Sequence, residues 1–186
     1  MTRTDILNRL IKKHDIKTYL EIGVQEAVNI SGIECPYKVG VDIREFPEGD
    51  WIRYTCPSDD FFLENHEKFD LIFVDGLHLY EQAKFDIINA MDALTDTGFI
   101  AMHDTYPKEK AHQARTPKAL TWNGDVWRVV YDMHQAKMTY WTHDTDHGVT
   151  IIPRQEISTE FIESFCEMDF DEFLPNANAI LKVKRS

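Results

Sequence analysis

Four acidic residues occupy the ends of four predicted strands of this chain. They are Glu21, Asp42, Asp75 and Asp104. The carboxyl ends of parallel strands meet at one edge of a sheet, so these acids are expected to converge on one crevice. Like charges in a cleft repel and raise one another's pKa. Such a crevice favours cations or hydroxyl groups as ligands, although the same acids also occur as turn formers and helix caps.

The spacing after the first predicted strand indicates which nucleotide could bind. Asp42 lies 19 residues after Gly23, and an acid about 20 residues after the first turn binds ribose hydroxyls. A dinucleotide fold needs G-x-G-x-x-G at that turn, but only the first glycine is present and Glu26 would face the phosphates. NAD is therefore disfavoured. S-adenosylmethionine fits better, since it carries ribose and adenine, no phosphate, and two positive groups.

Two histidines stand beside the strand-end acids and are candidate bases. His78 follows Asp75 by three residues, and His103 directly precedes Asp104. A base can take a proton from a reacting group only when it is held within hydrogen-bond reach of that group. The same spacings also suit metal ligation or helix capping. A zinc site is disfavoured, because the sequence offers no third soft ligand.

Length and charge exclude several classes of protein. The chain has 186 residues, 43% of them hydrophobic, which is enough for the core of a single domain over residues 1–186. A net charge of −12 argues against nucleic acid and anionic membranes as partners. The apolar runs are too short to span a bilayer, and the charged start does not resemble a signal peptide. Three scattered cysteines are typical of free thiols in a cytoplasmic protein.

Alternating strand and helix patterns predict an α/β fold. Helices are predicted over 5–14, 58–66, 79–94, 125–135 and 159–173, and strands over 19–24, 38–43, 52–55, 69–75 and 98–102. A closing antiparallel hairpin is predicted over 138–143 and 148–152, and Asp125 is the predicted cap of the helix that it begins. The continuous apolar strands indicate a Rossmann-like, doubly wound, mostly parallel sheet with helices on both faces.

Four stretches of the chain carry a resemblance to a known family: YLEIGVQEA, KVGVDI, FDLIFVDGLHLYEQAKFDIINAMDAL and GFIAMHDT. They resemble class I S-adenosylmethionine-dependent methyltransferases. The likeness is greatest to the small bacterial branch of macrocin-type sugar O-methyltransferases and cephalosporin-hydroxylase-like proteins. The VDG-x-H-x-Y-E segment and the His-Asp pair that follows it are fairly specific to that branch. The resemblance covers residues 18–135.

The resemblance implies a set of cofactor contacts, with segment 56–59 at the position where adenine is usually bound. The implied contacts are Glu21, Gly23, Asp42, Ile43, Ser58, Asp59 and Asp75. Asp75 would lie beside the reaction centre and is a catalytic candidate together with His78 and His103. The chain departs from the family pattern at Gln25 and Ala27, where glycine is usual. If that turn needs a positive φ, an alanine there costs about 1 kcal/mol or more.

Some relatives bind Mg²⁺ at acids after the fourth and fifth strands. The matching positions are Asp75, Asp104 and Thr105, with Thr105 at a place where relatives carry Asp or Asn. A threonine oxygen can coordinate a hard cation, but it brings no charge. Mg²⁺ often binds one or two carboxylates together with water and substrate, so the resemblance implies a candidate magnesium site.

The segment 106–123 is the one basic stretch of the chain and is predicted to be a long loop over the crevice. Its bases are Lys108, Lys110, Arg115 and Lys118. They suggest an anionic small-molecule substrate, and the alternative is an ordinary solvated loop. Trp122 could stack on a sugar ring. The aromatic residues of segment 159–173 suit the core or a contact with a second copy in a homo-oligomer.

The favoured function is O-methylation of a small-molecule hydroxyl, on a sugar or another polyol. A catalytically inactive binding module with the same fold is the alternative, which Gln25 and Ala27 motivate. A nicotinamide-dependent oxidoreductase is a third reading, which the missing glycines disfavour. Fold alone does not define the substrate.

Overall fold

A single sheet organises the molecule. The computed structural model describes residues 1–117 and 121–184, and within them eight strands pair in the order β3-β2-β1-β4-β5-β7-β6-β8. The strands are β1 Thr18–Ile22, β2 Tyr37–Asp42, β3 Ile52–Thr55, β4 Phe69–Val74, β5 Leu94–Met102, β6 Trp141–His143, β7 Val149–Pro153 and β8 Val183–Lys184. Strands β1 to β5 are parallel, and β7 is antiparallel to β5 and β6. The predicted doubly wound sheet and its closing hairpin are confirmed.

Helices cover both faces of this sheet. They are α1 Arg3–His14, α2 Val28–Ser31, α3 Ser58–Glu64, α4 Tyr80–Asp92, α5 Trp127–Gln135, α6 Thr159–Glu163 and α7 Phe170–Ile180. Helices α1 and α2 contribute to one hydrophobic core, and α3 to α7 contribute to the other. Burial on both faces explains why the central strands are continuous apolar runs. The described helices are too short or too polar to cross a lipid bilayer.

The predicted helix over 159–173 is wrong, because two helices occupy this region. Between α6 and α7 the backbone binds side chains of α4 instead of continuing a helix. Lys84 donates hydrogen bonds to the carbonyl and to the hydroxyl of Ser164, and Cys166 N donates to the hydroxyl of Tyr80 at 3.0 Å. These tertiary hydrogen bonds replace the helical ones, so the amphipathic pattern of the sequence does not decide the local structure.

The predicted role of Asp125 also changes. It does not cap its own helix α5, which begins at Trp127 without a side-chain cap. Instead its carboxylate accepts a hydrogen bond of 2.8 Å from the backbone N–H of Tyr80, the first residue of α4. A carboxylate at a helix N-terminus satisfies a free N–H group and interacts favourably with the helix dipole. Asp125 therefore fixes the start of α4 against the segment before α5.

The ends of strands β1, β2 and β4 are bound together at Gly23. Its N–H donates to Val41 O at 2.8 Å, while Asp75 N donates to Ile22 O at 2.9 Å. Gly23 has φ +88°, and a Cβ atom there would lie 2.1 Å from the carbonyl oxygen of Asp75. Only glycine permits both this conformation and this approach.

Replacing Gly23 tests how much the sheet depends on this approach. We expect Gly23→Ala to lower the free energy of unfolding by at least about 2 kcal/mol, because strain and a backbone clash add. Gly76→Ala is the matched control, since its Cβ would make only ordinary contacts at 3.4 and 3.6 Å. We expect the control to change stability by less than about 1 kcal/mol. Urea unfolding measures both, and equal losses would contradict the close approach.

Candidate active site

A cavity of about 420 Å³ lies beyond the carboxyl ends of the parallel strands. Its lining includes most of the residues predicted from the sequence, namely Gly23, Asp42, Ile43, Ser58, Asp59, Asp75, His78 and Trp122. The sheet order places their elements in sequence along the crevice, from Ser58 after β3, through Asp42 after β2 and Gly23 after β1, to Asp75 after β4. One cavity therefore connects the predicted cofactor residues with the predicted catalytic ones.

Asp42 is held rigidly at the end of β2. One carboxylate oxygen accepts a hydrogen bond of 2.9 Å from the backbone N–H of Gln25, and the other accepts one of 2.9 Å from that of Arg44. Each carboxylate oxygen has a further lone pair, so both can still accept hydrogen bonds. The carboxylate is thus oriented in the cavity wall as an acceptor for hydroxyl groups.

The first loop has the strain that the sequence suggested. Gln25 has φ +51° and Ala27 has φ +58°, both in the left-handed region that favours glycine. Such a conformation costs roughly 1–2 kcal/mol for a residue with a Cβ atom. Ala27 is nevertheless buried and packs in the core with α1 and α2. The loop keeps the glycine-type conformation without the glycines.

Asp75 and His78 of the cavity lining meet a third predicted residue, Asp104, which lies outside the lining. His78 Nε2 lies 3.3 Å from Asp75 Oδ1 and 3.3 Å from Asp104 Oδ2. Asp104 has φ +57°, a conformation that aspartate tolerates better than most residues. Strain of this kind is common at functional sites. The ligand atoms of these three residues lie within 4.8 Å of one another, which is close enough for a metal ion.

The consecutive residues Trp122 to Asp125, here called the WNGD segment, hold this cluster from outside. The carbonyl oxygen of Trp122 lies 3.2 Å from His78 Nδ1, and the two rings are 4.9 Å apart. Asn123 Nδ2 donates to Asp104 Oδ1 at 2.9 Å, while its own oxygen is buried without a partner among the described residues. A Cβ atom on Gly124 would lie 1.7 Å from the carbonyl oxygen of His78. When Nδ1 of His78 carries a proton and donates it to the carbonyl of Trp122, Nε2 is the nitrogen that faces the acids.

Sequence reasoning missed two charged residues beside the cluster. Arg3, the first residue of α1, has its Nη1 3.1 Å from Asp75 Oδ2 and 3.0 Å from His103 Nδ1. Asp146, in the β6–β7 turn, accepts a hydrogen bond of 2.7 Å from Arg3 N and lies 3.7 Å from His103 Nε2. No local pattern marks either residue, because both reach the site only through the packing of distant elements.

Charge compensation decides the protonation of the cluster. Burial disfavours the charged form of His103, but Asp75, Asp104 and Asp146 outweigh it and raise its pKa well above the usual range. Burial likewise opposes ionisation of Asp75, but His103, His78 and Arg3 hold the pKa of Asp75 well below its usual range. The pKa of His78 is raised in spite of burial by the hydrogen bond to Asp75 and the charge of Asp104. The acids thus favour the protonated form of His103, which is buried, whereas His78 lines the cavity.

Comparison with known proteins agrees with the fold of the chain. A family model described as a methyltransferase domain matches residues 44–105. No curated protein sequence matches the chain significantly. Among solved structures, a putative caffeoyl-CoA O-methyltransferase from Staphylococcus aureus is 15% identical, with a TM-score of 0.61 over 82% of each chain. The SAH-bound methyltransferase PaMTH1 from Podospora anserina is 15% identical, with a TM-score of 0.62 over 83% of this chain and 78% of its own.

A third similar structure is the O-methyltransferase TomG from Streptomyces achromogenes in complex with SAM. It is 12% identical, with a TM-score of 0.58 over 80% of this chain and 78% of its own. The chain has the class I methyltransferase fold. The predicted resemblance to class I methyltransferases is confirmed at the level of the fold.

Four predicted site residues do not line the cavity, namely Glu21, His103, Asp104 and Thr105. Thr105 is fully buried, and its hydroxyl accepts a hydrogen bond of 2.8 Å from Thr150 rather than facing the acid cluster. Glu21 is 1% exposed and accepts hydrogen bonds from Tyr19 at 2.5 Å and from Asn29 at 2.8 Å. Glu21 therefore supports the first loop through Asn29 of α2, whereas the sequence predicted a direct cofactor contact.

The described basic residues of segment 106–123 form ion pairs with acidic residues elsewhere in the protein. Lys108 binds Asp144, Lys110 lies 2.6 Å from Asp171, and Arg115 lies 2.7 Å from Asp125 and 2.8 Å from Glu81. Lys118 lies outside the described residues. The three described bases are thus compensated by neighbouring carboxylates, and an anionic ligand would compete with those acids.

The buried Glu21 predicts a specific pH dependence of stability. Burial raises its pKa to about 7 from 4.5, although hydrogen bonds from Tyr19 and Asn29 oppose this. The folded state therefore binds this proton more tightly than the unfolded state, and its stabilising contribution, complete below pH 4.5, is lost as pH rises through 7. Each unit of pKa difference corresponds to about 1.4 kcal/mol. We expect Glu21→Gln to be the more stable protein at pH 8 but not at pH 4.5.

Urea unfolding at both pH values measures this difference. Glu34→Gln is the control, because Glu34 is exposed. We expect the control to follow the wild type at both pH values. Parallel curves for wild type and Glu21→Gln would contradict the assignment.

Proposed function

We propose that this protein is a methyltransferase that transfers the methyl group of S-adenosylmethionine to a hydroxyl of a small sugar or other polyol. The observation that carries the proposal is a single cavity that joins Asp42, an oriented hydroxyl acceptor, to the Asp75–His78–Asp104 cluster. Two observations support S-adenosylmethionine as the cofactor: the methyltransferase fold, and the similar solved structures that contain bound SAM or SAH.

The order of elements along the crevice matches the order of groups in the cofactor. Asp42 at the end of β2 suits the ribose hydroxyls, and the loop after β3, which carries Ser58, suits the base. The turn at Gly23, between β2 and β4, lines the cavity and suits the methionine part. The sulfonium then lies toward Asp75, whose charge favours a cation. The acceptor approaches from the side of β5 and His78.

His78 is the residue best placed to remove the proton of the acceptor hydroxyl. Its Nε2 faces the acid cluster while Nδ1 is bound to the carbonyl of Trp122. A positioned base of this kind contributes typically 10²–10⁴-fold to the rate. His103 was the second candidate base, but it is 3% exposed and lies outside the cavity lining. We assign His103 and Arg3 to charge compensation of Asp75.

The pairing of the basic loop favours an uncharged acceptor over an anionic one. The described bases of this loop already bind carboxylates. Trp122 lines the cavity beside His78 and offers an apolar ring face for a sugar. The alternative of an inactive binding module gains no support, since the left-handed conformation of the first loop is retained with Gln25 and Ala27.

The acid cluster also fits a magnesium ion. Asp75 and Asp104 each direct one carboxylate oxygen to the cluster, and Mg²⁺ commonly binds one or two carboxylates with water in the other positions. The oxygen of Asn123, which is buried and has no partner in the part of the chain that the structure describes, is a further polar group beside Asp104. When bound, such an ion would orient the acceptor and favour its ionised form. Thr105 contributes no charge to this site and is bound to Thr150.

Calorimetric titration with S-adenosylhomocysteine tests the cofactor. We expect micromolar binding by the wild type and binding about 10- to 100-fold weaker by Asp42→Asn, because a charged acceptor for two hydroxyls is lost. Asp60→Asn, an exposed acid of α3, is the control and should bind like the wild type. NAD should not bind. Absence of S-adenosylhomocysteine binding at millimolar concentration would overturn the proposed function.

Methyl transfer itself is measured with radiolabelled S-adenosylmethionine and a panel of monosaccharides and polyols. We expect His78→Gln to lower kcat by about 10²–10⁴-fold and to leave S-adenosylhomocysteine binding within about threefold of the wild type. The exposed His66 provides the matched variant His66→Gln, with unchanged kcat. Equal rates for wild type and His78→Gln on an accepted substrate would remove His78 from the chemistry.

Magnesium binding is tested without an acceptor. We expect millimolar Mg²⁺ to raise the thermal unfolding midpoint of the wild type, since a ligand of the native state stabilises it. Asp104→Asn should show no such rise, because the site loses one of its two carboxylates. Asp96→Asn, which alters an exposed acid of β5, should respond like the wild type. An equal rise in all three proteins would place the ion elsewhere.

A further inference from the structure

A buried carboxylate lies behind the cavity wall and takes no part in the site described above. Asp86 of α4 is 1% exposed and is absent from the cavity lining. Its Oδ1 accepts a hydrogen bond of 2.7 Å from the hydroxyl of Ser58 and one of 3.2 Å from Gln82 Nε2. Both partners line the cavity. Asp86 therefore controls the hydrogen-bonding groups that this wall presents without touching a ligand.

The orientation of the Gln82 amide follows from its neighbours. Its Nε2 lies 3.3 Å from Ser58 Oγ, 3.2 Å from Asp59 Oδ1 and 3.2 Å from Asp86 Oδ1. The opposite amide orientation would place an oxygen against two carboxylates, which the network does not tolerate. The nitrogen therefore faces the acids, and the amide oxygen is left as the acceptor of this side chain.

These hydrogen bonds determine whether the cavity wall offers donors or acceptors to a ligand. The Ser58 proton is donated to Asp86, so the hydroxyl can offer only lone pairs to a ligand. Burial and the charge of Asp59 raise the pKa of Asp86 to about 6, although hydrogen bonds from Ser58 and Gln82 oppose the rise. The carboxylate is thus ionised above neutral pH and accepts hydrogen bonds only. Ser58, the Gln82 oxygen and Asp59 together form a surface of acceptors.

We propose that Asp86 is a positioning residue that makes the Ser58–Gln82 wall an acceptor surface, and thereby selects a nucleobase with an exocyclic amino group over one with a carbonyl at that position. The inference rests on the proposed function, which places the base of the cofactor beside the loop after β3. An adenine amino group donates to such a surface, whereas the carbonyl of hypoxanthine meets acceptors and leaves them unpaired. A site built to bind an N–H group rejects an analogue that lacks it.

Competition between S-adenosylhomocysteine and its deaminated analogue S-inosylhomocysteine tests the proposal by calorimetry. We expect the wild type to bind S-adenosylhomocysteine about 10- to 100-fold more tightly. Asp86→Leu removes the acceptor behind Ser58 at similar volume, so the hydroxyl can donate to the carbonyl of hypoxanthine. The ratio of the two dissociation constants should then fall to about threefold or less. Asp86→Asn keeps an acceptor oxygen and should restore the ratio to that of the wild type.

Two further variants separate this role from a general loss of packing. Ser58→Ala removes the group that faces the ligand and should lower the ratio as Asp86→Leu does. Asp132→Asn alters another buried carboxylate, which binds Tyr80 and Lys84 away from the cavity, and should leave the ratio unchanged. If the wild type binds S-adenosylhomocysteine but Asp86→Leu keeps the full ratio, the inference is wrong and the proposed function stands. If the wild type does not bind it, both are overturned.

Discussion

The carboxylates around His103 impose the constraint on which the rest of the site depends. Asp75, Asp104 and Asp146 each lie within 3.7 Å of its ring nitrogens, in a largely buried place. Uncompensated charges there would cost several kcal/mol each. Arg3 and His103 supply the compensation, and they come from different parts of the chain. The charges of the cluster are therefore compensated only after four parts of the chain have assembled: helix α1, the ends of β4 and β5, and the β6–β7 turn.

Much of the fold could be predicted because its signals are local. Strand β4 differs from its predicted bounds by one residue, since its apolar run ends in polar residues and leaves little freedom. Strand β3 has the predicted bounds. The convergence of Asp42, Asp75 and Asp104 follows from the parallel topology alone. The direction of each acidic side chain does not follow from the topology. Glu21, which lies within β1, supports the first loop, whereas Asp42, the last residue of β2, lines the cavity.

The rest of the candidate site depends on contacts that no pattern encodes. Arg3 reaches Asp75 across 72 residues of sequence, and a capping signal at Asp125 serves a helix other than the one that follows it. The contribution of Trp122 to His78 is a backbone carbonyl, which every residue type possesses. The backbone of the WNGD segment therefore positions His78 as much as its side chains do. Of these four residues, only Gly124 indicates the course of the backbone from sequence. Its φ of +63° and its close approach to the carbonyl of His78 both require a glycine.

The distribution of the three free cysteines has a practical consequence for following the cavity in solution. Cys35 and Cys166 are buried, whereas Cys56 is partly exposed and lines the cavity beside Ser58. Burial and the acids Asp60 and Glu64 raise the pKa of the Cys56 thiol, so it reacts slowly at neutral pH. It is still the thiol that an alkylating reagent meets first in the folded protein. A ligand bound at the end of the cavity near Ser58 would shield this thiol. The rate of Cys56 labelling would therefore report how much of the protein has ligand bound.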